Sequence, residues 1–304
     1  MSTRSLRRFF AVTARGTRSL LQMELERWQA LGNEYLIVER ERLAFELTAG
    51  SVQLLCDPES GLGADGVLEL AHDDDDGVSA ELVIWNADGS QAELSGNGSR
   101  QAFLYLHASG WTDSNSLAVK TPAGIITAEL TGPDSATVAM GRATTTSGQF
   151  PDGPSDGRSE LEIGGVSCAF QFVSIGNPQC AFQVASIEQL DALDLGKIGP
   201  LVENDRRFPA RTNASWWTPF GDGRIRARIF ERGVGETASS GTGASGAAVA
   251  SLLDGATSPV VVVLDGGELV VEIDEQLNVE LSGTANRVEV IRLDDELERR
   301  VADA

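Results

Sequence analysis

Cysteine and histidine are scarce in this chain of 304 residues, and each shortage argues against a class of site. The three cysteines, Cys56, Cys168 and Cys180, form neither a CxxC pair nor a disulfide framework, which fits a reducing cytoplasm. The two histidines, His72 and His107, lie outside every glycine-rich motif. We therefore expect no Ser-His-Asp triad, no histidine-based zinc site and no other metal centre.

Basic residues and long apolar stretches are lacking as well. The chain has 24 Lys and Arg against 45 Asp and Glu, which gives a net charge of −21 at pH 7. Such an acidic surface argues against nucleic acid as a partner, because phosphates favour basic surfaces. No apolar run reaches membrane-spanning length, so we expect a globular cytoplasmic protein with no membrane partner. The acidic run at residues 73–76 is interpreted as a hairpin tip rather than a metal site.

Residues 1–22 differ from the rest of the chain, since they carry five arginines and no acidic residue. Their apolar stretch is too short for a secretory signal. We interpret them as a basic N-terminal extension, either a transit peptide or a mis-assigned start, with the strand-like pattern beginning at Met23.

The chain contains an internal repeat around which the rest of the sequence is organised. Residues 83–104 and 228–249 share one layout, in which a β-like run and a polar turn precede Ser-Gly-x-Gly and a small-residue helix. A shift of 145 residues superposes Ser95 on Ser240, and two further blocks repeat at shifts of 144 and 143 residues. Blocks that repeat in the same order at nearly the same spacing indicate a tandem duplication. The alternative is that glycine-rich turns between strands resemble each other without any duplication.

Short alternating runs between Gly, Pro and Asp turns predict a protein built mainly of β-strands. Helices are predicted at residues 48–56, with Thr48 as N-cap, and at 97–109, 187–194 and 242–253. The predicted fold is a mixed α/β (α+β) protein with two pseudo-symmetric domains, residues 23–145 and 160–295, and a tail at 296–304. Each domain is expected to be a curved, mostly antiparallel sheet wrapped around a central helix that is apolar all round.

The two Ser-Gly-x-Gly segments are candidate anion sites. A helix N-terminus exposes backbone N–H groups and the positive end of the helix dipole, which suits a carboxylate. If the two halves face each other, Ser95 and Ser240 lie across one cleft and could move a proton between the two faces of a carbon atom. The alternative is that both serines are simple N-caps.

The spelling GxGxxG, known from dinucleotide-binding sites, also occurs at residues 61–66 and 241–246. That site needs a strand before the glycines and a helix after them, within a βαβ unit. Neither copy has this surrounding, so nicotinamide or flavin binding is not expected.

Several short motifs after Met23 form a specific combination. They are Leu31-Gly-Asn-Glu-Tyr35, Gly61-Leu-Gly-Ala-Asp-Gly66, Asn86-Ala-Asp-Gly-Ser90, Ser95-Gly-Asn-Gly98, Gly176-Asn-Pro178, Phe208-Pro-Ala-Arg-Thr-Asn213, Glu231-Arg-Gly-Val-Gly-Glu-Thr237 and Ser240-Gly-Thr-Gly243. Together they resemble the diaminopimelate epimerase family, enzymes that invert one α-carbon of LL-diaminopimelate to give the meso form. The resemblance implies no cofactor, two mirror-related α/β domains, and an amino-acid substrate bound between them.

The resemblance also implies roles for individual residues. The side chains expected to bind the polar groups of the substrate are Asn33, Asn86, Asn177 and Asn213. Glu231 and Arg232 are expected at its distal end, where the guanidinium offers a two-pronged contact to a carboxylate. The backbone expected to hold the reacting carboxylate belongs to Gly96, Asn97, Gly241 and Thr242.

The chain departs from the family at the catalytic positions. Ser95 and Ser240 replace two family cysteines, one a thiolate base and the other a thiol acid, and Gln179 replaces a histidine. A serine hydroxyl ionises far less readily than a thiol. Glu231, near Ser240 by the family pattern, is the candidate proton acceptor, whereas Cys180 is expected to face away from Gln179 on its strand.

Three functional hypotheses follow. The first is a diaminopimelate epimerase for lysine and cell-wall precursor synthesis, with Ser95 and Ser240 in the acid and base positions. The second is a related isomerase or lyase acting on another substrate. The third is a non-catalytic homologue that still binds an amino acid. The sequence leaves open whether the protein is a homodimer.

Overall fold

The computed structural model describes residues 23–73, 75, 77–92, 94–122 and 124–304. The basic extension predicted for residues 1–22, and part of the acidic run at 73–76, lie outside these ranges. Of the residues described, none belongs to a helix long and apolar enough to cross a membrane.

The described strands fall into two matching sets, one from each repeat. The first set is β1 (Glu24–Ala30), β2 (Asn33–Glu39), β3 (Gly66–Ala71), β4 (Ala80–Asn86), β5 (Gln91–Ala92), β6 (Ser116–Thr121), β7 (Gly124–Gly132), β8 (Ser135–Arg142) and β9 (Arg158–Ile163). The second set is β10 (Val166–Ser174), β11 (Pro178–Gln183), β12 (Asn213–Pro219), β13 (Arg224–Glu231), β14 (Gly235–Thr237), β15 (Val260–Leu264), β16 (Gly267–Ile273), β17 (Asn278–Thr284) and β18 (Asn286–Arg292).

The strand pairings form one continuous sheet, in which equivalent strands of the two sets follow in the same order from either edge. From one edge the order is β18-β1-β2-β3-β4-β6-β7-β8, followed by β17-β16-β15-β13-β12-β11-β10-β9. The parallel pairs β2–β3 and β4–β6 correspond to the parallel pairs β11–β12 and β13–β15, and the other pairs are antiparallel. The predicted duplication and the mostly antiparallel fold are confirmed.

A pseudo-twofold axis passes between β8 and β17, where the two halves join. Thr137 pairs with Ser282, its equivalent at a shift of 145 residues, and their side-chain oxygens are 2.7 Å apart. The neighbouring pairs obey the same symmetry, since Val138 pairs with Leu281 and Ala136 with Gly283. The C-terminal strand β18 then returns to pair with β1, which ties the end of the chain to its beginning.

The described helices are α1 (Ala49–Cys56), α2 (Gly96–Ala108), α3 (Ile187–Asp191), α4 (Leu195–Glu203), α5 (Gly241–Leu253) and α6 (Asp295–Asp303). Helices α2 and α5 are enclosed by the two halves of the sheet, and nearly all their residues are buried. The predicted N-cap of α1 is confirmed, because Thr48 Oγ1 accepts a hydrogen bond of 3.1 Å from the Ser51 amide.

Two segments differ from the sequence-based expectation. The third predicted helix ends earlier, at Asp191, because Asp194 caps a new helix, α4. Residues 296–304, expected to be a tail, form most of α6, whose Val301 is fully buried. The sequence did not predict either helix, since α4 contains glycine and proline and α6 consists mostly of charged residues.

One apolar core runs through both halves and surrounds α2 and α5. Two outer clusters flank it, an aromatic one under α3 and α4 and an aliphatic one under α1 and α6. The domain boundaries at residues 145 and 160 stay a prediction, because the halves share this central core and the sheet that covers it.

Candidate active site

The N-termini of α2 and α5 meet at the pseudo-twofold axis. A Cβ atom built on Gly96 would lie 2.9 Å from the Cα of Gly241, and one built on Gly241 would lie 2.7 Å from the Cα of Gly96. Such distances leave no room for a side chain, so the two helices begin in direct backbone contact. Ser95 and Ser240 precede these glycines and therefore flank the same point from opposite halves.

Both serines are N-caps, as the alternative interpretation had it. Ser95 Oγ accepts a hydrogen bond of 3.0 Å from the Gly98 amide, and Ser240 Oγ accepts one of 3.2 Å from the Gly243 amide. This leaves the amides of the first two residues of each helix, Gly96-Asn97 and Gly241-Thr242, without an acceptor among the described residues. Neither helix has an acidic residue in its first turn. Four free donors at two adjoining helix N-termini form a site suited to a carboxylate.

Ser240 is hydrogen-bonded to a carboxylate. Its hydroxyl donates to Glu231 Oε2 over 3.0 Å, and Thr237 donates to the other oxygen of Glu231 over 3.0 Å. Burial raises the pKa of Glu231, while these two hydrogen bonds oppose the rise. A carboxylate that accepts the proton of a hydroxyl is placed to act as its general base.

The phenol of Tyr35 lies near Ser95 on the other arm. Burial raises the pKa of Tyr35 to about 12, while the nearby hydroxyl of Ser95 opposes the rise. Within the described part of the chain, no carboxylate accepts a hydrogen bond from Ser95. Asn86 occupies, at the end of β4, the position that Glu231 occupies at the end of β13. The two arms of the site are therefore related by symmetry but chemically unequal.

The equivalent asparagines Asn33 and Asn177 are each held by a buried glutamine. Gln101 Nε2 donates to the carbonyl oxygen of Asn33 over 3.0 Å, and Gln179 Nε2 donates to Asn177 Oδ1 over 2.8 Å. Asn177 Nδ2 in turn donates to Thr242 Oγ1 over 3.2 Å, which places it beside the opening of α5. Asn33 Nδ2 donates to an Asp65 oxygen over 2.8 Å.

The other predicted binding residues are Asn213 at the start of β12, Arg232 directly after β13, Asn86 at the end of β4 and Asn97 in the first turn of α2. Asn213 is buried, and its Oδ1 accepts a hydrogen bond of 2.9 Å from the Arg232 amide. Arg232 Nη1 donates to the carbonyl oxygen of Ala210 over 2.7 Å. Asn86 Nδ2 donates to Ser90 Oγ over 2.9 Å, and no described contact joins it to either helix opening. Asn97 is buried, and its Nδ2 donates to Ser239 Oγ of the other half over 3.2 Å.

Gln179 and Cys180 face opposite sides of β11. Gln179 is fully buried against α5, where a Cβ built on Gly246 would lie 2.8 Å from the Gln179 Cβ. Cys180 lies in the aromatic outer cluster, and burial raises the pKa of its thiol to about 12. The expectation that Cys180 faces away is confirmed, and this thiol does not replace a missing catalytic cysteine.

The first GxGxxG sequence does not form a dinucleotide-binding turn. It follows helix α1 and leads into strand β3, which begins at Gly66. A dinucleotide site requires the opposite order, with the strand first and the helix after it.

Sequence reasoning missed several polar residues at the site. Tyr35 lies near Ser95, Thr237 donates to Glu231, and Ser239 accepts from Asn97. Arg100 and Gln101 are buried inside α2. A signal for the last two was present, because a charged residue and an amide interrupt a helix expected to be apolar all round.

Comparison with known protein families identifies close relatives. The sequence model described as "Diaminopimelate epimerase" matches residues 28–146 and 171–288. The diaminopimelate epimerase of Magnetococcus marinus is 37% identical over 262 residues, which cover 85% of this chain and 92% of that protein. The diaminopimelate epimerase of Pelotomaculum thermopropionicum is 35% identical over 277 residues, covering 88% of this chain and 97% of its own.

Solved structures with the same fold are more distant in sequence. A hydroxyproline epimerase from Agrobacterium vitis, with bound trans-4-hydroxy-L-proline, has a TM-score of 0.65 and 17% identity over 93% of this chain and 96% of its own. A probable proline racemase from Agrobacterium radiobacter, with bound carbonate, has a TM-score of 0.64 and 14% identity over 90% of this chain and 95% of its own. At this level of identity the likeness concerns the fold.

Proposed function

Because this chain belongs to the diaminopimelate epimerase family, we propose that it interconverts LL- and meso-diaminopimelate without a cofactor. Its relatives are epimerases and isomerases, and the chain is an isomerase of this type. The observation that carries the proposal is the contact between Gly96 and Gly241, because it sets Ser95 and Ser240 on either side of one pair of helix N-termini. Such an enzyme would serve the synthesis of lysine and of cell-wall precursors.

The α-carboxylate of the substrate binds the free amides of Gly96-Asn97 and Gly241-Thr242 in this proposal. When the α-proton leaves, negative charge spreads from the carbon into that carboxylate. Donors that are already fixed around it therefore stabilise the carbanion more than the ground state, which lowers the barrier.

Ser240 and Glu231 act together on one face of the α-carbon. Ser240 Oγ takes the α-proton while its own proton passes to Glu231 Oε2, so no free alkoxide is required. This relay offsets the poor acidity of a serine, since each unit of pKa mismatch costs about 1.4 kcal/mol. On the opposite face, Ser95 gives its proton to the carbanion and takes one from Tyr35.

The distal amino-acid end of the substrate binds the loop that carries Arg232 in this proposal. Arg232 Nη1 is engaged by Ala210, while Nε and Nη2 have no acceptor among the described residues. Those two groups point to a two-pronged contact with the distal carboxylate. Asn33, Asn177 and Asn213 would bind the remaining polar groups, and Asn177 already contacts Thr242 at the opening of α5.

The decisive experiment measures α-proton exchange of LL-diaminopimelate in D₂O, by NMR, together with formation of the meso isomer. The natural protein is compared with the double variant Ser95→Cys, Ser240→Cys, in which thiols restore the usual acid and base. We expect exchange by the natural protein and faster exchange by the variant. Absence of inversion and of exchange in both proteins would end the proposal.

The same assay separates the alternative functions. Deuterium uptake into another amino acid, with none into diaminopimelate, would indicate a related isomerase with a different substrate. Thermal stabilisation by diaminopimelate without exchange would indicate a binding protein.

We also propose that the protein is a homodimer formed through β18. Among the described strands, β18 pairs on one side alone, with β1, and it carries two exposed valines, Val288 and Val290. An unprotected edge strand with apolar side chains favours association with a second copy. Light scattering after size exclusion should give a dimer for the natural protein and a monomer for the double variant Val288→Lys, Val290→Lys.

A further inference from the structure

Arg100 is a fully buried arginine without a carboxylate partner in the described part of the chain. Its Nη1 donates to the carbonyl oxygen of Gly96 over 3.1 Å, and its Nη2 donates to Asn97 Oδ1 over 2.5 Å. Its Nε has no hydrogen-bond partner. A Cβ built on Gly283 would lie 3.1 Å from that Nε, so β17 covers the guanidinium from the other side.

An isolated buried charge is unfavourable, and proteins normally pair it. Arg226 shows the usual arrangement, because its largely buried guanidinium pairs with Asp265 and also donates to backbone carbonyls. For Arg100, burial lowers the pKa to about 10, so the group stays positively charged at neutral pH. The folded protein thus keeps a cation with which no carboxylate among the described residues forms an ion pair.

The helix opening itself does not need this charge. In the other repeat the equivalent residue is Ser245, whose hydroxyl donates to the carbonyl oxygen of Gly241 over 2.9 Å. Arg100 makes the same contact with Gly96 through Nη1. A small neutral side chain therefore satisfies the local hydrogen bonding, and what Arg100 adds is a positive charge.

That charge lies directly behind the free amides of the candidate site. The residues that Arg100 contacts, Gly96 and Asn97, are the two whose N–H groups open α2 toward the axis. The N-termini of α2 and α5 already carry partial positive charge, and neither first turn has an acidic residue. Three positive contributions thus converge on one point.

We propose that Arg100 is a positioning residue whose buried charge balances the α-carboxylate of the substrate, acting through Gly96 and Asn97. This inference rests on the proposed function, because it assumes that a carboxylate occupies the helix openings. The charge on the carboxylate oxygens grows as the carbanion forms. Loss of the guanidinium charge should therefore lower kcat more than it raises KM, with at least a tenfold fall in kcat.

The first test compares stability without substrate, by urea denaturation of the natural protein, Arg100→Met and Arg226→Met. An unpaired cation opposes folding, so Arg100→Met should be as stable as the natural protein or more stable. Arg226→Met removes a paired arginine whose hydrogen bonds go to Ala227, Val263 and Asp265 and not to the helix openings, and it should be less stable. If both variants lose stability to the same extent, Arg100 is a structural residue and the proposal is wrong.

The second test measures binding and turnover of meso-diaminopimelate. Arg100→Met should bind it more weakly and should lose more in turnover than in affinity, with kcat at least about tenfold lower. Arg100→Lys should recover most of both, and Arg226→Met should behave like the natural protein. Equal affinity in all four proteins would overturn the proposal.

The third test does not depend on diaminopimelate. Low millimolar sulfate, at ionic strength matched with chloride, should raise the Tm of the natural protein and of Arg226→Met but not of Arg100→Met. An equal rise in all three proteins would contradict the role of Arg100. If the natural protein neither binds nor exchanges diaminopimelate, the proposed substrate is wrong, and the sulfate result still decides the role of Arg100.

Discussion

Single residues distinguish the two arms of the site. Ser240 donates to Glu231, whereas Ser95 has the phenol of Tyr35 near it. A carboxylate is free to accept a proton, whereas a phenol whose pKa is about 12 is already protonated at neutral pH. We therefore expect the arm of the second repeat to dominate proton removal.

Glu231→Gln should lower α-proton exchange by about a hundredfold or more, because a positioned general base contributes at least that factor. The matched control is Glu236→Gln. Glu236 lies on the same hairpin but pairs with Arg228 rather than with a site hydroxyl. NMR measurement of exchange in D₂O should find the control near the natural rate. Equal rates for both variants would remove Glu231 from the mechanism.

The same substitution should change the pH dependence of stability. Burial raises the pKa of Glu231 in the folded chain, so folding penalises its charged form relative to the unfolded chain. Its stabilising contribution is complete below the unfolded pKa and is lost as the pH rises through the raised folded pKa. Glu231→Gln should therefore gain stability relative to the natural protein as the pH rises above about 4, the ordinary pKa of a glutamate. Urea midpoints measured as the pH rises test this, and a constant difference would contradict it.

At the level of elements, the contact between α2 and α5 depends on two glycines. Gly96→Ala or Gly241→Ala places a methyl group within 3.0 Å of the opposite helix. Such overpacking should cost about 1–3 kcal/mol of unfolding free energy and should separate the four free amides. Gly148→Ala is the control, because nothing lies within 4 Å of that position. The unfolding free energy from chemical denaturation and the rate of α-proton exchange should both fall for Gly96→Ala and Gly241→Ala, and both should stay unchanged for Gly148→Ala.

Local sequence signals predicted the elements that surround the site better than those at the periphery. The repeated Ser-Gly-x-Gly segments predicted the starts of α2 and α5 to within one residue, because the capping serines and small residues act locally. Helices α4 and α6 were missed because packing against the sheet outweighs their composition. Glu231 was expected beside Ser240 from the family pattern, whereas the positions of Tyr35 and Arg100 at the site could not be predicted, since they depend on the three-dimensional fold. The roles of the site residues stay predictions.

At the level of the whole molecule, the halves are joined in three places by strand pairing. β8 pairs with β17 at the axis, β18 pairs with β1 and β9 with β10 at the two edges, and one apolar core runs through both halves. We expect a single unfolding transition in calorimetry. A fragment of residues 23–145 should not fold alone, because it lacks β17 and β18. Two resolved transitions, or a folded fragment with dispersed NMR signals, would show that the halves are independent domains.

The pairing of Thr137 with Ser282 has a consequence for the ancestry of the chain. A residue that meets its own counterpart on a twofold axis is the hallmark of two identical subunits. We infer a half-length ancestor that associated in pairs, with the same groups on both sides of the ligand. Fusion of two copies into one gene removed that constraint. The equivalent positions could then differ, as Glu231 differs from Asn86 and Arg100 from Ser245. Two identical subunits cannot differ in this way. Accordingly, Asn86→Glu should bring the two faces of the α-carbon closer to equal rates of exchange.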